Sequence, residues 1–263
     1  MDYWVTENII DHADTVITPS STAGTLAAAN LLDPRVGIKW RSADVAGGVL
    51  NIVLGGPTQL SAIGVFGVDD GGEDAGTEVQ IKIGTTPGGN NVLDWVGETQ
   101  HGQAVYRTPV IRDPEDGSYR PTIIGAPYIR ITLPFAREIG RVFAGAGGVY
   151  PQVGHILNGS NWQMVDLSLR SITPRNGAFL IDIADRRRVF TAAYDALDRA
   201  EMFAFDKLDR YTGTHRQAMF VPDPAVYDPI SNWAILGYIR ELPENAFAGY
   251  MRGTRVTTIV EAG

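Results

Sequence analysis

Four histidines, His12, His101, His155 and His215, are the side chains best suited to move protons near neutral pH. None stands at an i, i+4 spacing from another, and none sits beside a cysteine or a dense carboxylate cluster, so no metal-ligand pattern forms. They read as surface or satisfied turn residues. The densest acidic run, Asp69-Asp70-Gly71-Gly72-Glu73-Asp74, offers the carboxylate oxygens that Ca²⁺ prefers. It lacks the alternating ligands and distal Glu of an EF-hand loop, and a soluble turn between strands is the simpler reading. Asp113, Glu115 and Asp116 place carboxylates close enough for two-carboxylate glycosidic chemistry. Their loop, Arg112-Asp113-Pro114-Glu115-Asp116-Gly117, carries Pro, Asp and Gly where a turn needs them, so the structural reading prevails.

Other catalytic signatures are missing from the sequence. Gly145-Ala146-Gly147-Gly148 lacks dinucleotide-binding spacing and a βαβ context. Gly84-Thr85-Thr86-Pro87-Gly88-Gly89 ends without the Lys-Ser/Thr pair of a phosphate loop. There is no G-x-S-x-G elbow, and the absence of cysteine removes thiolate chemistry and disulfides. The expectation is a non-enzymatic protein with no cofactor and no metal.

The elements that must carry any site are mostly strands. In 263 residues, 30 glycines and 15 prolines fall between short apolar runs, the texture of many strands joined by turns. Strands are expected at 49–54, closed by Gly55-Gly56-Pro57, and at 60–68 with Leu60, Ile63 or Val65, and Phe66 near a core. Val79, Ile81 and Ile83 alternate with Glu78, Gln80 and Lys82, and Ile129, Ile131 and Leu133 repeat the pattern. Further strands are read at 138–145, 162–169, 178–183, 188–194, 233–239 and 248–260. The last has no clear burial face, because Val256, Thr258 and Val260 alternate with Thr257 and Ile259. One helix is expected at 197–211: Asp198 and Glu201 form a capping box, Met202, Phe205 and Leu208 follow at helical spacing with Tyr211 next in line, and Gly213 stops it.

The net charge of −8 and pI near 5.0 disfavour broad nucleic-acid binding, which needs clustered Lys and Arg. The one dense basic run, Arg186-Arg187-Arg188, reads as a solvated strand edge. The first residues lack a basic and an apolar region, so no signal peptide is read, and no apolar run is long enough to cross a bilayer.

Two stretches resemble known families. Ala28-Ala29-Asn30-Leu31-Leu32-Asp33-Pro34-Arg35 with Ile38-Lys39-Trp40-Arg41-Ser42, then residues 50–57 and 60–65, resembles the opening of a galactose-binding-like (discoidin-type) jelly roll. Tyr128–Leu133 is similar to that family's later "Y-I/V-R-I" strand. The pairing of "N-L-L-D-P-R" with "W-R-S" is similar to proteins of long-tailed bacteriophages and gene-transfer-agent particles. Ala218-Met219-Phe220-Val221-Pro222-Asp223-Pro224, with the strand from Trp233 to Ile239, resembles the C-terminal part of minor tail and distal-tail (baseplate) proteins.

These resemblances imply a mainly β chain. It would have an N-terminal jelly-roll β-sandwich over 1–150 and a ring-forming β-sandwich or barrel domain with one helix over 151–263, divided near Tyr150. They further imply a virion tail-tip protein, made in the bacterial host cytoplasm. It would oligomerise, commonly as a hexameric ring, between tail tube and baseplate hub. Trp162, Tyr227, Trp233 and Tyr250 are then candidate interface aromatics, with core packing as the alternative. The alternative function is recognition of a host-surface glycan by loops 69–76 and 112–119, with Asp69, Asp70, Arg112 and Tyr119 as contact residues. No nucleic-acid specificity and no membrane insertion are expected.

Overall fold

Runs in which every residue is apolar or small demand burial on both faces, and the fold is organised around the sheet centred on one such run, Ala62–Phe66. The computed structural model describes residues 2–69, 76–115, 117–134, 138–151, 160–166, 169–172, 179–182, 186–223, 233–242, 246–247 and 253–262. The expected strand residues 167–168, 178 and 183 lie outside the described residues, as do Tyr227 and Tyr250.

The first layer is an antiparallel sheet of β2 (Val16–Pro19), β4 (Gly48–Leu60), β11 (Ile124–Leu133), β6 (Glu78–Gly84) and β7 (Leu93–Glu98), in the order β2-β4-β11-β6-β7. Its alternating strands send Ile52, Val79, Ile81, Ile83, Ile129, Ile131 and Leu133 into one core, as the sequence pattern predicts. β4 does not stop at Gly55-Gly56-Pro57. It runs on to Leu60, and its pairing with β11 shifts register between Ala126 and Tyr128.

The second layer is a three-stranded sheet in the order β13-β5-β8, from β5 (Ala62–Phe66), β8 (Gln103–Arg107) and β13 (Arg141–Gly145). Its two faces enter different cores. Ile63, Val65, Ala104, Val142 and Ala144 face the first layer. Ala62, Phe66, Val105 and Phe143 face a second core with Tyr3, Val5, Met219, Val221 and Leu236. At Gly64 a Cβ would lie 2.4 Å from the Phe66 ring and 3.3 Å from the Met219 sulfur, so only glycine fits there.

The third layer is the largest sheet. Its order is β14 (Gly147–Val149), β1 (Tyr3–Val5), β19 (Gln217–Val221), β20 (Ile235–Ile239), β22 (Gly253–Glu261), β18 (Arg186–Leu197) and β15 (Asn161–Asp166), with β21 (Ala246–Phe247) also on β22. Helix α1 (Arg199–Thr212) covers its outer face over Trp4, Phe190, Tyr194, Phe220 and Ile235. Three short pairs complete the described strands: β3 (Trp40–Arg41) with β12 (Glu138–Ile139), β9 (Val110–Arg112) with β10 (Tyr119–Pro121), and β16 (Leu169–Ile172) with β17 (Phe179–Asp182).

Four readings are changed or completed here. A division at residue 150 does not separate the sheets, because β1 and β14 pair into the third layer. Trp4 faces the helix side while Tyr3 and Val5 face the middle sheet, so this short apolar run needs a sheet between two cores. The helix begins at Arg199 with the expected Asp198–Glu201 capping box, and it extends to Thr212. Thr212 is buried, whereas Tyr211 is 39% exposed. In β22 the buried face is Arg255, Thr257 and Ile259, and Val256 is exposed. Arg255 is buried because its guanidinium grips Asp209 of α1 at 2.6 and 2.7 Å and stacks on Phe205. In the basic run, Arg188 is no solvated residue: it bonds Glu261 and Gln103 and is buried.

Polar fasteners tie the second layer to the third. The Tyr3 hydroxyl donates to the Ser61 carbonyl at 2.8 Å, and burial pushes that phenol well above its ordinary pKa. Arg107 donates to the Pro222 carbonyl at 2.6 Å with its guanidinium over the Tyr3 ring, and Gln103 donates to the Ala234 carbonyl at 2.6 Å.

Phe143→Ala is expected to cost about 3–5 kcal/mol in urea denaturation. Near- and far-ultraviolet dichroism should report the same single transition, because both cores share the middle sheet; two separated transitions would contradict a shared layer. A second expectation concerns Asp2, 4% exposed, whose carboxylate accepts from the Asp223 amide at 2.6 Å. Burial raises its pKa against the pull of that bond and of Arg107. A carboxyl whose folded pKa exceeds its unfolded one strengthens folding as pH falls through the folded value, so its charged form costs stability at neutral pH. Asp2→Asn should therefore raise the melting temperature at neutral pH, with the gain vanishing in acid.

Candidate functional site

Of the glycan-contact residues read from sequence, Asp69, Arg112 and Tyr119 lie among the described residues. Arg112 and Tyr119 are cross-strand partners in the β9–β10 hairpin, both exposed. The turn between them is built as expected: the Asp113 amide donates to Ser118, the Glu115 amide to the Asp113 carboxylate, and Arg112 to the Gly117 carbonyl. This hairpin follows Arg107, which pairs with Ala62 at the start of β5. Asp69 follows the opposite end of β5, where its amide donates to Glu138. The four strand steps between Ala62 and Phe66 already put roughly 13 Å between the two ends. Asp70 and the rest of the acidic run through Asp74 lie outside the described residues, as do Asp116 and His155. Among the described residues, no group of three or more His, Cys, Asp or Glu side chains is placed to hold a metal ion. No helix among them is long and apolar enough to cross a membrane.

The structure instead gathers polar side chains at the seam between the second and third layers. A cavity of about 400 Å³ opens between residues 6–12, the 32–34 loop, the start of β13, and the end of α1 with the start of β19. Arg141 opens β13 and is 2% exposed. It donates to the Leu31 carbonyl at 2.9 Å and to Asp11 at 2.5 Å, but its Nε–H has no partner. Gln217 opens β19 and is 7% exposed. Its Nε2 donates to the Pro34 carbonyl at 2.5 Å, and its Oε1 has no partner. A buried polar atom without a partner costs about 1–3 kcal/mol, so two on one cavity wall mark a place where something polar belongs.

The rest of the lining is nearly balanced in charge. Asp11 faces Arg141, and loss of solvent holds its carboxyl above the ordinary value despite that guanidinium. Glu7 bonds His12 at 2.9 Å, and Arg216 lies 4.8 Å from the centre of the Tyr211 ring. His215 joins the lining from just beyond α1. Chemically, the cavity is lined by two residues that each keep a buried polar atom without a partner, one donor and one acceptor, by an aromatic ring and by little net charge. A hydroxyl group both accepts and donates, and so complements that pair.

No family model matches the chain, and no curated protein matches it. Solved structures similar to it include CpGH89CBM32-6 produced by Clostridium perfringens, at 16% identity over 54% of this chain and 100% of that one, with a TM-score of 0.37. The family 32 CBM from C. perfringens NanJ, in complex with galactose, is 18% identical over 55% of this chain and 98% of that one, with a TM-score of 0.38. A Ruminococcus gnavus GH29 fucosidase in complex with fucose is 16% identical over 54% of this chain and 27% of that one, with a TM-score of 0.41.

Sequence reasoning missed this cavity because its walls come from distant residues. His12 and His215 were each read as isolated, and they line one cavity. Tyr211 was placed with the helix's apolar stripe, and its exposure at the rim is the one local signal of another role. Trp162 and Trp233 pack edge to face at 5.7 Å, and Trp162 stacks on Phe190, which assigns Trp162 to the core reading of the aromatics.

Proposed function

We propose that this chain is a non-catalytic glycan-binding β-sandwich protein, and that its seam cavity takes a neutral sugar. One observation carries the reading: Arg141 and Gln217, each more than nine-tenths buried, both line this cavity, and each holds a buried polar atom, Nε–H and Oε1, without a protein partner. A pyranose hydroxyl supplies both missing partners, and Tyr211 offers a face for the ring's C–H surface. The near-neutral lining favours a neutral sugar over a charged one. Asp11 is held by Arg141 and Glu7 by His12, so neither is placed as a free acid or base for glycosidic cleavage. The galactose in the NanJ module makes galactose the first probe.

Titration calorimetry of the full chain should detect galactose. Gln217→Met, which keeps the side chain's length, should weaken it about tenfold or more. Tyr211→Ala, at the exposed rim, should weaken it while leaving the melting temperature nearly unchanged. Absence of galactose binding at millimolar concentration, or full affinity in both variants, would remove this reading.

A second reading, assembly into a phage-type tail tip, rests on the resemblance of residues 28–42 and 218–224 and has one structural observation in its favour. Among the described residues β15 ends the largest sheet, and Met164 on it is 59% exposed. An open sheet edge with an exposed apolar side chain is a surface on which another copy can add a strand. Light scattering after gel filtration should then give a closed oligomer of about six chains. A monomer at every concentration tested would set this second reading aside.

A further inference from the structure

The basic run Arg186-Arg187-Arg188 separates into two roles. Arg188 binds both carboxylate oxygens of Glu261, its amide donating to Oε2 at 3.0 Å and its Nε to Oε1 at 3.0 Å. Glu261 is thereby neutralised. Arg186 and Arg187 line a different seam cavity, about 340 Å³, together with His101 and Glu261. Among the described residues neither arginine has an ion-pair partner, and the Nε–H of Arg187 is buried with nothing to donate to. His101 is held at the rim with φ of +53°, a backbone region that non-glycine residues rarely adopt, next to Gly102 at +71°. The rest of the wall is Gln103, bonded to the Ala234 carbonyl and to Arg188, and apolar side chains, chiefly Phe66 and Leu236.

We infer that this second cavity binds a small ligand carrying one oxyanion, carboxylate or phosphate, on a compact apolar-faced body. Two guanidiniums without an ion pair among the described residues, against the single carboxylate of Asp166 cross-strand from Arg186, and a histidine favour an anion, and a guanidinium presents paired N–H donors that fit an oxyanion's two oxygens. The volume lies at the small end of the roughly 300–1,000 Å³ range of ligand sites, which suits a single acidic sugar or a sugar phosphate and excludes a nucleic-acid strand. The local charge opposes the chain's net −8, so the field that attracts an anion is confined to this opening. The inference goes beyond the neutral-sugar reading and uses none of its residues.

Calorimetry of the full chain with galacturonate, inorganic phosphate and galactose tests it. At least one of the two anions should bind, more weakly as salt rises, and the R186Q/R187Q variant should lose about tenfold or more in affinity. Stronger galacturonate binding assigns the oxyanion to a carboxylate; stronger phosphate binding assigns it to a phosphate. Arg187→Lys, which keeps the charge, should still weaken binding because a point charge cannot donate in parallel. The variant's melting temperature and its galactose affinity should match those of the unaltered chain, so this site and the neutral-sugar cavity fail or hold separately. Failure of both anions to bind at millimolar concentration, or unchanged anion affinity in R186Q/R187Q, would overturn the inference.

Discussion

The double burial of the β13-β5-β8 sheet is the constraint on which the rest of the structure depends. A sheet in an antiparallel sandwich ordinarily hides one face and wets the other. Here Ile63 and Val65 face one core while Ala62 and Phe66 face another, and the neighbouring strands do the same with Val142 against Phe143. The jelly roll and the large sheet therefore share a layer. Neither can close its core without it, and Gly64 marks how closely the shared layer approaches β19.

Sharing a layer forces polar groups into the seam. The strands that meet there carry Tyr3, Gln103 and Arg107, and each finds a backbone carbonyl across the boundary. Such buried, fully bonded groups fix the register of one layer on the other. Arg255 does the same work between β22 and α1 through Asp209. Where the two layers diverge at their margins, side chains of the same kind are left with unpaired atoms. Arg141, Gln217 and Arg187 are the cases, and they line the two cavities. The functional readings thus follow from the fold's own geometry: the seam that unites the layers also creates the polar openings along it.

The acidic surface and the local cationic opening answer different questions. Net charge governs long-range attraction and argues against nucleic acid as a partner. A cavity's selectivity depends on the few groups inside it and on whether those groups are already neutralised. Glu261 is, through Arg188, and among the described residues Arg186 and Arg187 have no ion-pair partner. Asp11 and Glu7 are offset by Arg141 and Arg216, which leaves the other cavity close to neutral.

By itself the sequence determined the β class, the alternating strands around Val79–Ile83 and Ile129–Leu133, and the capped helix after Asp198. Each is set by a local period or by a cap within a few residues. It also showed which familiar catalytic signatures the chain lacks. It could not show that residues 3–5 pair with 219–221, because a three-residue strand has no period of its own. It left the burial face of β22 open, since hydrophobicity cannot foresee that Arg255 is buried by an ion pair with a residue 46 positions away. Both cavities were invisible for the same physical reason. A polar atom is unpaired only relative to its neighbours in space, and those neighbours are decided when the layers pack.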